Sequence, residues 1–366
     1  MKRRSFFRNA GKYGAAGVAA AASTVAAPAI AQSMPEVRWR CASSFPKSVE
    51  ILFGTAELIA RRVGQLTSGK FQISVHAAGE IVPPLQVLDA VEKGTIECNQ
   101  TAPYYYIGKD PAWAIGTCVP FGFNSRQYNA WWMHGGGDKL FNDFTREVGV
   151  VNMLAGNTGS QMGGWFKREI KDVADLKGLK FRTGGMGGQV LAKLGVVTQQ
   201  LPAGEIYSAL EKGTIDAAEF TVPADDEKLG LNKVARYYYY PGWNEGCAAL
   251  GFQVNLKAYN ALPEAYRHAL YAATAEANSW MQARYDALNP AALKRLVQGG
   301  AVLRPFPQSV LEACFKANQE LMAEASAKSA AFKRMYEHML AFQRDQVAWF
   351  RVAEDSFDTF VGRQKL

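Results

Sequence analysis

One segment occurs twice in this chain, and it restricts the fold more than any other feature of the sequence. Residues 90–97 are Ala-Val-Glu-Lys-Gly-Thr-Ile-Glu, and residues 209–216 are Ala-Leu-Glu-Lys-Gly-Thr-Ile-Asp. In each copy the lysine and glycine are typical of a helix end, and a short strand-like segment follows. The repeat predicts two α/β lobes of similar build. The alternative is chance reuse of a common helix stop.

Alternating strand and helix patterns surround the first copy of the repeat. Residues 37–42 are strand-like, and apolar residues over 49–66 recur at helical spacing. Residues 71–75 alternate between apolar and polar, a helix is expected to end at Gly94, and a third strand over 95–101 follows. Three strands separated by two helices favour a parallel sheet covered by helices. The expected fold class is therefore α/β, with parallel or mixed sheets in two lobes.

The chain is expected to cross between these lobes twice. The strand-like segments 150–154 and 248–254 are the candidates for the crossings. They divide the chain into a first lobe, residues 32–154 with 249–262, and a second lobe, residues 155–248.

Long helices are expected after Pro263. Helical apolar patterns cover residues 265–288, 310–322 and 330–360. A helix of about thirty residues would be about 45 Å long, which exceeds the width of one lobe. Residues 263–366 are therefore expected to bridge the lobes. The apolar stripe of the last helix is expected to pack either on its own lobes or in a homodimer.

The N-terminus is typical of an export signal. Residues 2–8 are Lys-Arg-Arg-Ser-Phe-Phe-Arg, residues 14–27 are rich in alanine, and Ala29-Ile30-Ala31 forms a small-residue cleavage site. This pattern predicts a twin-arginine signal peptide over residues 1–31 and a mature protein in the periplasm. The alternative is a frayed basic N-terminus.

Five basic and no acidic residues lie in residues 1–31, so the net charge of +8 falls to +3 without this segment. Such a charge gives little support for nucleic-acid binding.

Several kinds of catalytic chemistry have no motif in this sequence. The four histidines form no HExxH pair, no GxSxG or Walker A motif occurs, and the five cysteines include no CxxC pair. The glycines at 184–188 follow a strand-like segment but do not fit the spacing GxGxxG. An exported protein of two similar lobes without catalytic motifs is best interpreted as a solute-binding protein.

Arg182 is the first candidate for ligand binding. It ends the strand-like segment 177–182, and Thr183, several glycines and a helix follow it. Ligands of open α/β sheets bind at the carboxyl ends of strands. A guanidinium group matches the geometry of a carboxylate, and a helix N-terminus adds amide donors. The alternative is a surface arginine in a loop.

Other motifs identify a family. Residues 165–170 are Trp-Phe-Lys-Arg-Glu-Ile, and residues 175–182 are Asp-Leu-Lys-Gly-Leu-Lys-Phe-Arg. The further motifs are Gly156-Asn157-Thr158, Gly163-Gly164-Trp165, Ala218-Glu219-Phe220 and the tyrosine run before Pro-Gly-Trp at 237–243. Over nearly the whole mature chain, the sequence resembles the periplasmic receptors of tripartite ATP-independent (TRAP) transporters. The motifs at 156–158, 163–165, 218–220 and 237–243 resemble the branch that binds 2-oxo acids.

The resemblance implies a receptor whose lobes close over a small 2-oxo or 2-hydroxy monocarboxylate and deliver it to membrane permease subunits. It implies that Arg182 clamps the carboxylate. It also implies that Gln161, Glu219, Glu245 and the backbone of Phe220 hold a cation beside the ligand. Many relatives have tryptophan where this chain has Phe220, which lacks an indole N–H.

Charge also predicts the cation. Glu219 and Glu245, an anionic ligand and a single arginine leave a net charge of −2 in a closed cleft. Ligands that are all oxygen atoms suit a hard cation such as Ca²⁺ or Na⁺. The alternative is that both glutamates pair with surface lysine or arginine.

Aromatic residues are expected to form the walls of the pocket. Tyr104, Tyr105 and Tyr106 follow the third strand, Phe45 follows the first, and Trp243 lies close to Glu245. The alternative for each is core packing.

Two other functions remain open at this stage. The first is a receptor for another small acid, such as pyroglutamate, or for a polyol. The second is a secreted glycoside hydrolase that uses Glu219 and Glu245 as its acid and base.

Overall fold

The computed structural model describes residues 34–364, so the expected signal peptide over residues 1–31 lies outside the described residues. The strands of the described chain are β1 (Val37–Ser43), β2 (Phe71–His76), β3 (Cys98–Thr101), β4 (Val150–Asn157), β5 (Gly164–Phe166), β6 (Lys180–Arg182), β7 (Val197–Gln199), β8 (Ala217–Ala218), β9 (Tyr237–Tyr240), β10 (Ala249–Asn255) and β11 (Val302–Pro305).

Helices lie between and after these strands. They are α1 (Glu50–Leu66), α2 (Val87–Glu92), α3 (Ser125–His134), α4 (Gly137–Glu147), α5 (Gly185–Lys193), α6 (Ala203–Glu211), α7 (Pro223–Leu229), α8 (Leu256–Ala261), α9 (Glu264–Gln298), α10 (Gln308–Lys328), α11 (Ala330–Phe350) and α12 (Ser356–Val361). Within the described part of the chain, no helix combines the length and the apolar character needed to cross a membrane.

The strands form two mixed sheets, one in each lobe. The first sheet has the order β2-β1-β3-β10-β4, and the second has the order β11-β9-β5-β8-β6-β7. Strand β1 is parallel to β2 and β3, and β6 is parallel to β7 and β8. Strands β10 and β5 each join their sheet in the antiparallel direction. The α/β fold class predicted from the sequence is therefore confirmed.

The two sheets share one strand order. Reading from β2 to β4 and from β7 to β9, equivalent strands occupy equivalent places. The repeated segment has the same structure in both lobes. Gly94 and Gly213 have φ values of 69° and 75°, and the residue after each glycine donates a backbone hydrogen bond back to Ala90 or Ala209, at N···O distances of 2.9 and 3.0 Å. A positive φ favours glycine, which explains the glycine in each copy.

The structure differs from the expected lobe limits in two places. Strand β4 stays in the first sheet as far as Asn157, beyond the expected limit at residue 154. Strand β11 belongs to the second sheet, although the sequence predicted only helices after Pro263. Only four residues form β11, and none of them is buried, so its sequence carries no alternation of buried and exposed positions.

The long helices connect the lobes. Helix α9 packs on α1 and β4 of the first lobe and on α7 of the second. The expected helix over 330–360 consists of α11, a π-helical turn at Arg351–Asp355, and α12. Its apolar stripe is divided between two environments. Phe332, Met335 and Met339 are buried in the core, whereas the last residues are exposed: Trp349 by 59%, Val352 by 72%, Phe357 by 64% and Phe360 by 66%.

Candidate functional site

The predicted ligand residues lie at the carboxyl ends of equivalent strands in the two lobes. In the first lobe, Phe45 follows β1, and Tyr104 and Tyr105 follow β3. In the second lobe, Arg182 ends β6 and Glu219 follows β8. Since β1 corresponds to β6 and β3 to β8, the repeat itself places these residues on facing edges of the two sheets.

Arg182 is completely buried, and part of its guanidinium group is already bonded. Its Nε donates to the backbone oxygen of Leu201 at 3.0 Å, and its Nη1 donates to the backbone oxygen of Glu219. Its Cζ lies 5.4 Å from the ring centre of Phe220. Its Nη2 has no hydrogen-bond partner among the described residues. The protein therefore fixes the plane of the guanidinium group and leaves donors for a ligand.

Glu219 faces this arginine. Its Oε2 lies 3.7 Å from Nη1 of Arg182 and accepts a hydrogen bond from Thr183 Oγ1 at 3.1 Å. Its Oε1 has no hydrogen-bond partner in the described chain. Burial raises the pKa of Glu219 from 4.5 to about 7, and the charge of Arg182 opposes this rise. Gly164 permits this arrangement, because a Cβ atom there would lie only 3.1 Å from Cβ of Glu219.

Glu245 and Gln161 contribute further free oxygen atoms. Both carboxylate oxygens of Glu245 and Oε1 of Gln161 are buried and have no hydrogen-bond partner within residues 34–364. Burial raises the pKa of Glu245 well above its usual value, and the nearby charge of Glu219 adds to the rise while Arg182 opposes it. Nε2 of Gln161 donates to Thr158 Oγ1 at 3.0 Å.

These oxygen atoms fit a hard cation. Buried acceptors without donors are costly, and a cation bound by carboxylate and amide oxygens would satisfy them. The described residues contain no group of three or more His, Cys, Asp and Glu side chains that could hold a metal ion. A cation here would therefore take the Gln161 amide, and the ligand itself, in addition to the two glutamates.

Aromatic side chains from the first lobe cover the site. The rings of Tyr104 and Tyr105 stack at 5.0 Å between centres, and Phe45 lies 6.5 Å from Tyr105. A Cβ atom at Gly185 would lie 2.1 Å from the Tyr104 ring, so this glycine allows the ring to contact the start of α5. Burial raises the pKa of Tyr105 to about 12, which keeps its hydroxyl protonated as a donor.

Trp243 lies in a different environment from the other predicted residues. Its ring stacks on Phe121 at 5.3 Å, and it lines a small apolar cavity with side chains such as Phe166, Phe181 and Phe306. Its backbone oxygen accepts a hydrogen bond from the Phe121 N–H at 2.8 Å. These contacts assign Trp243 to packing beside the site.

The two lobes are in contact around the site. Gln200 Nε2 of the second lobe donates to the backbone oxygen of Tyr105 of the first lobe at 3.2 Å. Together with the burial of Arg182, Glu219 and Glu245, this contact defines a closed cleft.

A buried acidic pair beside the site was not predicted. Tyr238 OH and Trp165 Nε1 donate to Asp226 Oδ2 at 2.6 and 3.0 Å. Tyr285 OH of α9 donates to Asp225 Oδ2 at 2.6 Å. Burial raises the pKa of Asp225 to about 7 and that of Asp226 to about 6. In the sequence, both residues have the pattern of a solvated first helical turn after proline, so nothing marked them as buried.

Thr221 joins this acidic pair to the site. Its Oγ1 donates to Asp225 Oδ2 at 3.0 Å, and it follows Phe220 directly in the chain. The segment that carries Glu219 is therefore held against α9 by buried hydrogen bonds.

The protein has two lobes of the same topology, which close over buried donors and acceptors at the ends of strands. This arrangement is typical of a two-lobe binding protein. Residues 42–329 match the family of bacterial extracellular solute-binding proteins, family 7, also called DctP. The chain belongs to this family. It is thus a solute-binding protein and not an enzyme, and the glycoside hydrolase alternative is set aside.

Relatives and solved structures agree with this assignment. The monocarboxylate 2-oxoacid-binding periplasmic protein of Nostoc sp. is 49% identical over 98% of this chain and 99% of its own length. A TRAP transporter solute-binding protein of Bordetella bronchiseptica is 51% identical, with a TM-score of 0.88, over 89% of this chain and 97% of that one. Its crystal structure is a mixed-occupancy dimer with copurified calcium and picolinate.

A periplasmic solute-binding protein of Pseudoalteromonas atlantica is more distant. It is 35% identical, with a TM-score of 0.86, over 90% of this chain and all of that one, and its structure contains sodium and pyruvate.

Proposed function

We propose that this protein is the periplasmic receptor of a TRAP transporter. It binds a small 2-oxo or 2-hydroxy monocarboxylate together with Ca²⁺ or Na⁺, and it delivers the ligand to membrane permease subunits. The observation that carries the proposal is the set of unpartnered buried atoms. Within residues 34–364, Nη2 of Arg182 and oxygens of Glu219, Glu245 and Gln161 are buried without a hydrogen-bond partner. Glu219 and Glu245 lie close enough to Arg182 for its charge to lower their pKa values. Calcium with picolinate and sodium with pyruvate in the relatives support the same pairing of ligand and cation.

The charges of the site support a cation and a ligand that bind together. Arg182 supplies one positive charge, and Glu219, Glu245 and a monocarboxylate supply three negative charges. A divalent ion cancels the remaining charge of −2, and a monovalent ion halves it. The ligand carboxylate binds the free edge of Arg182. The cation would be held by Gln161 Oε1, both glutamates and the backbone oxygen of Phe220. Its role would be to bind oxygen atoms of the ligand.

Phe220 and the tyrosines favour a compact ligand. The Phe220 ring lies over the Arg182 guanidinium and offers no donor. The hydroxyl groups of Tyr104 and Tyr105 are further donors in the aromatic wall, within electrostatic range of Arg182 and both glutamates. A short 2-oxo acid, whose polar atoms lie at one end, suits such a site better than a polyol, which needs donors and acceptors along its whole length.

One experiment tests ligand and cation together. Purified protein is denatured, the released small molecules are identified by mass spectrometry, and the metal content is measured on the same sample. We expect a small monocarboxylate with calcium or sodium. The same measurement is made on the variant Arg182→Ala. Its matched control is Arg168→Ala, because Arg168 is an exposed arginine of the same lobe. Release of equal ligand from both variants, or of a sugar from wild type, would contradict the proposal.

We further propose export through the twin-arginine pathway and a homodimer through the C-terminal helices. The basic residues 2–8 support the first, and the exposed side chains of Trp349, Val352, Phe357 and Phe360 support the second. The Bordetella relative was crystallised as a dimer. Sedimentation of wild type should give twice the monomer mass. The variant Val352→Asp with Phe357→Asp should sediment as a monomer, and a monomeric wild type at micromolar concentration would remove this proposal.

A further inference from the structure

Thr158 holds the two crossing segments together beside the site. It follows β4 directly, and Ala248 directly precedes β10. The backbone N–H of Thr158 donates to the oxygen of Ala248, and the N–H of Ala248 donates to Thr158 Oγ1, both at 3.0 Å. The hydroxyl group therefore contributes to a two-point contact at the place where the chain passes between the lobes.

All hydrogen-bonding positions of this hydroxyl group are used. It donates to the backbone oxygen of Gly159 at 3.0 Å and accepts from Ala248 N and Gln161 Nε2, each at 3.0 Å. A hydroxyl has one donor and two acceptor positions. Thr158 is 1% exposed and has no remaining position for a ligand. Its effect on the site must pass through Gln161.

The hydroxyl group determines which end of the Gln161 amide is free. Because its single proton is given to Gly159, the Thr158 oxygen can only accept from Gln161, so Nε2 faces it. Oε1 is then the free atom, and it is buried without a partner among residues 34–364. A reversed amide would place Oε1 against the Thr158 oxygen, which has no second proton to donate, and would leave amide hydrogens where the free oxygen now lies.

We infer that Thr158 is a positioning residue for cation binding, because its hydroxyl orients the Gln161 amide with the oxygen toward the cation. The inference rests on the proposed function, since it requires a cation in this site. It also means that the cation ligand is tied to Ala248, and thus to the segment that crosses between the lobes. Groups that orient metal ligands typically change metal affinity about 10- to 100-fold when removed.

The test compares two substitutions at one position. Thr158→Val keeps the shape and removes the hydroxyl, and Thr158→Ser keeps the hydroxyl. Thr55→Val is the matched control, because Thr55 is also fully buried and its hydroxyl donates to the backbone oxygen of Ile51, away from the site. Each chelator-treated protein is titrated with Ca²⁺ by calorimetry in the presence of saturating pyruvate.

We expect Thr158→Val to weaken Ca²⁺ binding by about tenfold or more. Thr158→Ser and Thr55→Val should stay within about threefold of wild type, which corresponds to less than about 1 kcal/mol. Wild-type affinity in Thr158→Val, or equal losses in Thr158→Ser and Thr158→Val, would overturn the inference and leave the proposed function intact. A wild-type protein that binds neither Ca²⁺ nor Na⁺ would overturn the proposed function itself.

A second measurement is made on the wild-type protein. It needs one variant, which serves only to assign the signal. In glutamine-labelled protein, the side-chain amide signal of Gln161 is assigned by its loss in Gln161→Glu. We expect its hydrogens to be protected from exchange both with and without Ca²⁺, because Nε2 stays bonded to Thr158. Rapid exchange of these hydrogens in the cation-free protein would overturn the inference even if Thr158→Val failed to fold.

Discussion

Removing the cation should make the stability of this protein depend strongly on pH. Burial raises the pKa of Glu219 from 4.5 to about 7 in the cation-free site. This difference corresponds to roughly 3 kcal/mol, the cost of ionising the group in the folded protein. Between these two pH values the folded protein holds a proton that the unfolded chain has released. The contribution of Glu219 to the free energy of unfolding therefore falls as pH rises from about 4.5 to about 7, and this contribution changes little above that.

The same change should be absent when the cation is bound. A cation stabilises the ionised carboxylates of Glu219 and Glu245, so the loaded protein has no proton to lose there. Burial also raises the pKa values of Asp225 and Asp226, so these residues add to the pH dependence of the unfolding free energy. The informative quantity is the difference between chelated protein and protein saturated with Ca²⁺ and pyruvate.

The assay is denaturant unfolding at pH 5 and pH 8, with and without the cation. Chelated wild type should lose at least roughly 2.5 kcal/mol more than loaded wild type between these pH values, because Glu245 adds to the contribution of Glu219. Glu219→Gln, which cannot ionise, should reduce this difference by the contribution of Glu219, and the part that remains comes from Glu245, whose pKa is also raised. Glu227→Gln is the matched control, since the carboxylate of Glu227 pairs with Arg295 near the surface. Equal pH dependence in chelated wild type and chelated Glu219→Gln would refute the reasoning.

Four further outcomes are expected. Arg182→Ala should keep the fold but weaken carboxylate binding by about 2–5 kcal/mol, or about 30- to 4,000-fold; calorimetry showing less than a threefold loss would reject the clamp. Ligand and cation should tighten each other by one common factor, which reciprocal titrations measure; a factor of one would exclude their linkage. The cleft should open at hinges near residues 154–156, where β4 carries a register shift, and 246–249; identical scattering with and without ligand would count against this. Tyr285→Phe should lower the free energy of unfolding by about 1–3 kcal/mol, because Asp225 loses a buried donor; an unchanged denaturation midpoint would show that this hydrogen bond contributes nothing.

Local patterns in the sequence determined the two-lobe architecture of the protein. The helix stops at Gly94 and Gly213 depend only on neighbouring residues, so the repeat correctly indicated two lobes of one topology. Strand-end positions such as Arg182 are likewise visible in the sequence, because a strand pattern and a glycine-rich helix start adjoin there. The family motifs supplied Glu219, Glu245 and Gln161, which neither periodicity nor spacing distinguishes from surface residues.

Tertiary structure alone decided how these residues are paired and buried. The hydrogen bond between Tyr285 and Asp225 joins residues 60 positions apart, and no local pattern encodes it. Strand β11 is defined by its pairing with β9. The C-terminal apolar stripe is buried at Phe332, Met335 and Met339 and exposed from Trp349 onward. The same holds for the site. An oxygen of Glu245 becomes an unsatisfied acceptor when the closed lobes exclude water, and the energy of such a group depends on surroundings that come from distant parts of the chain.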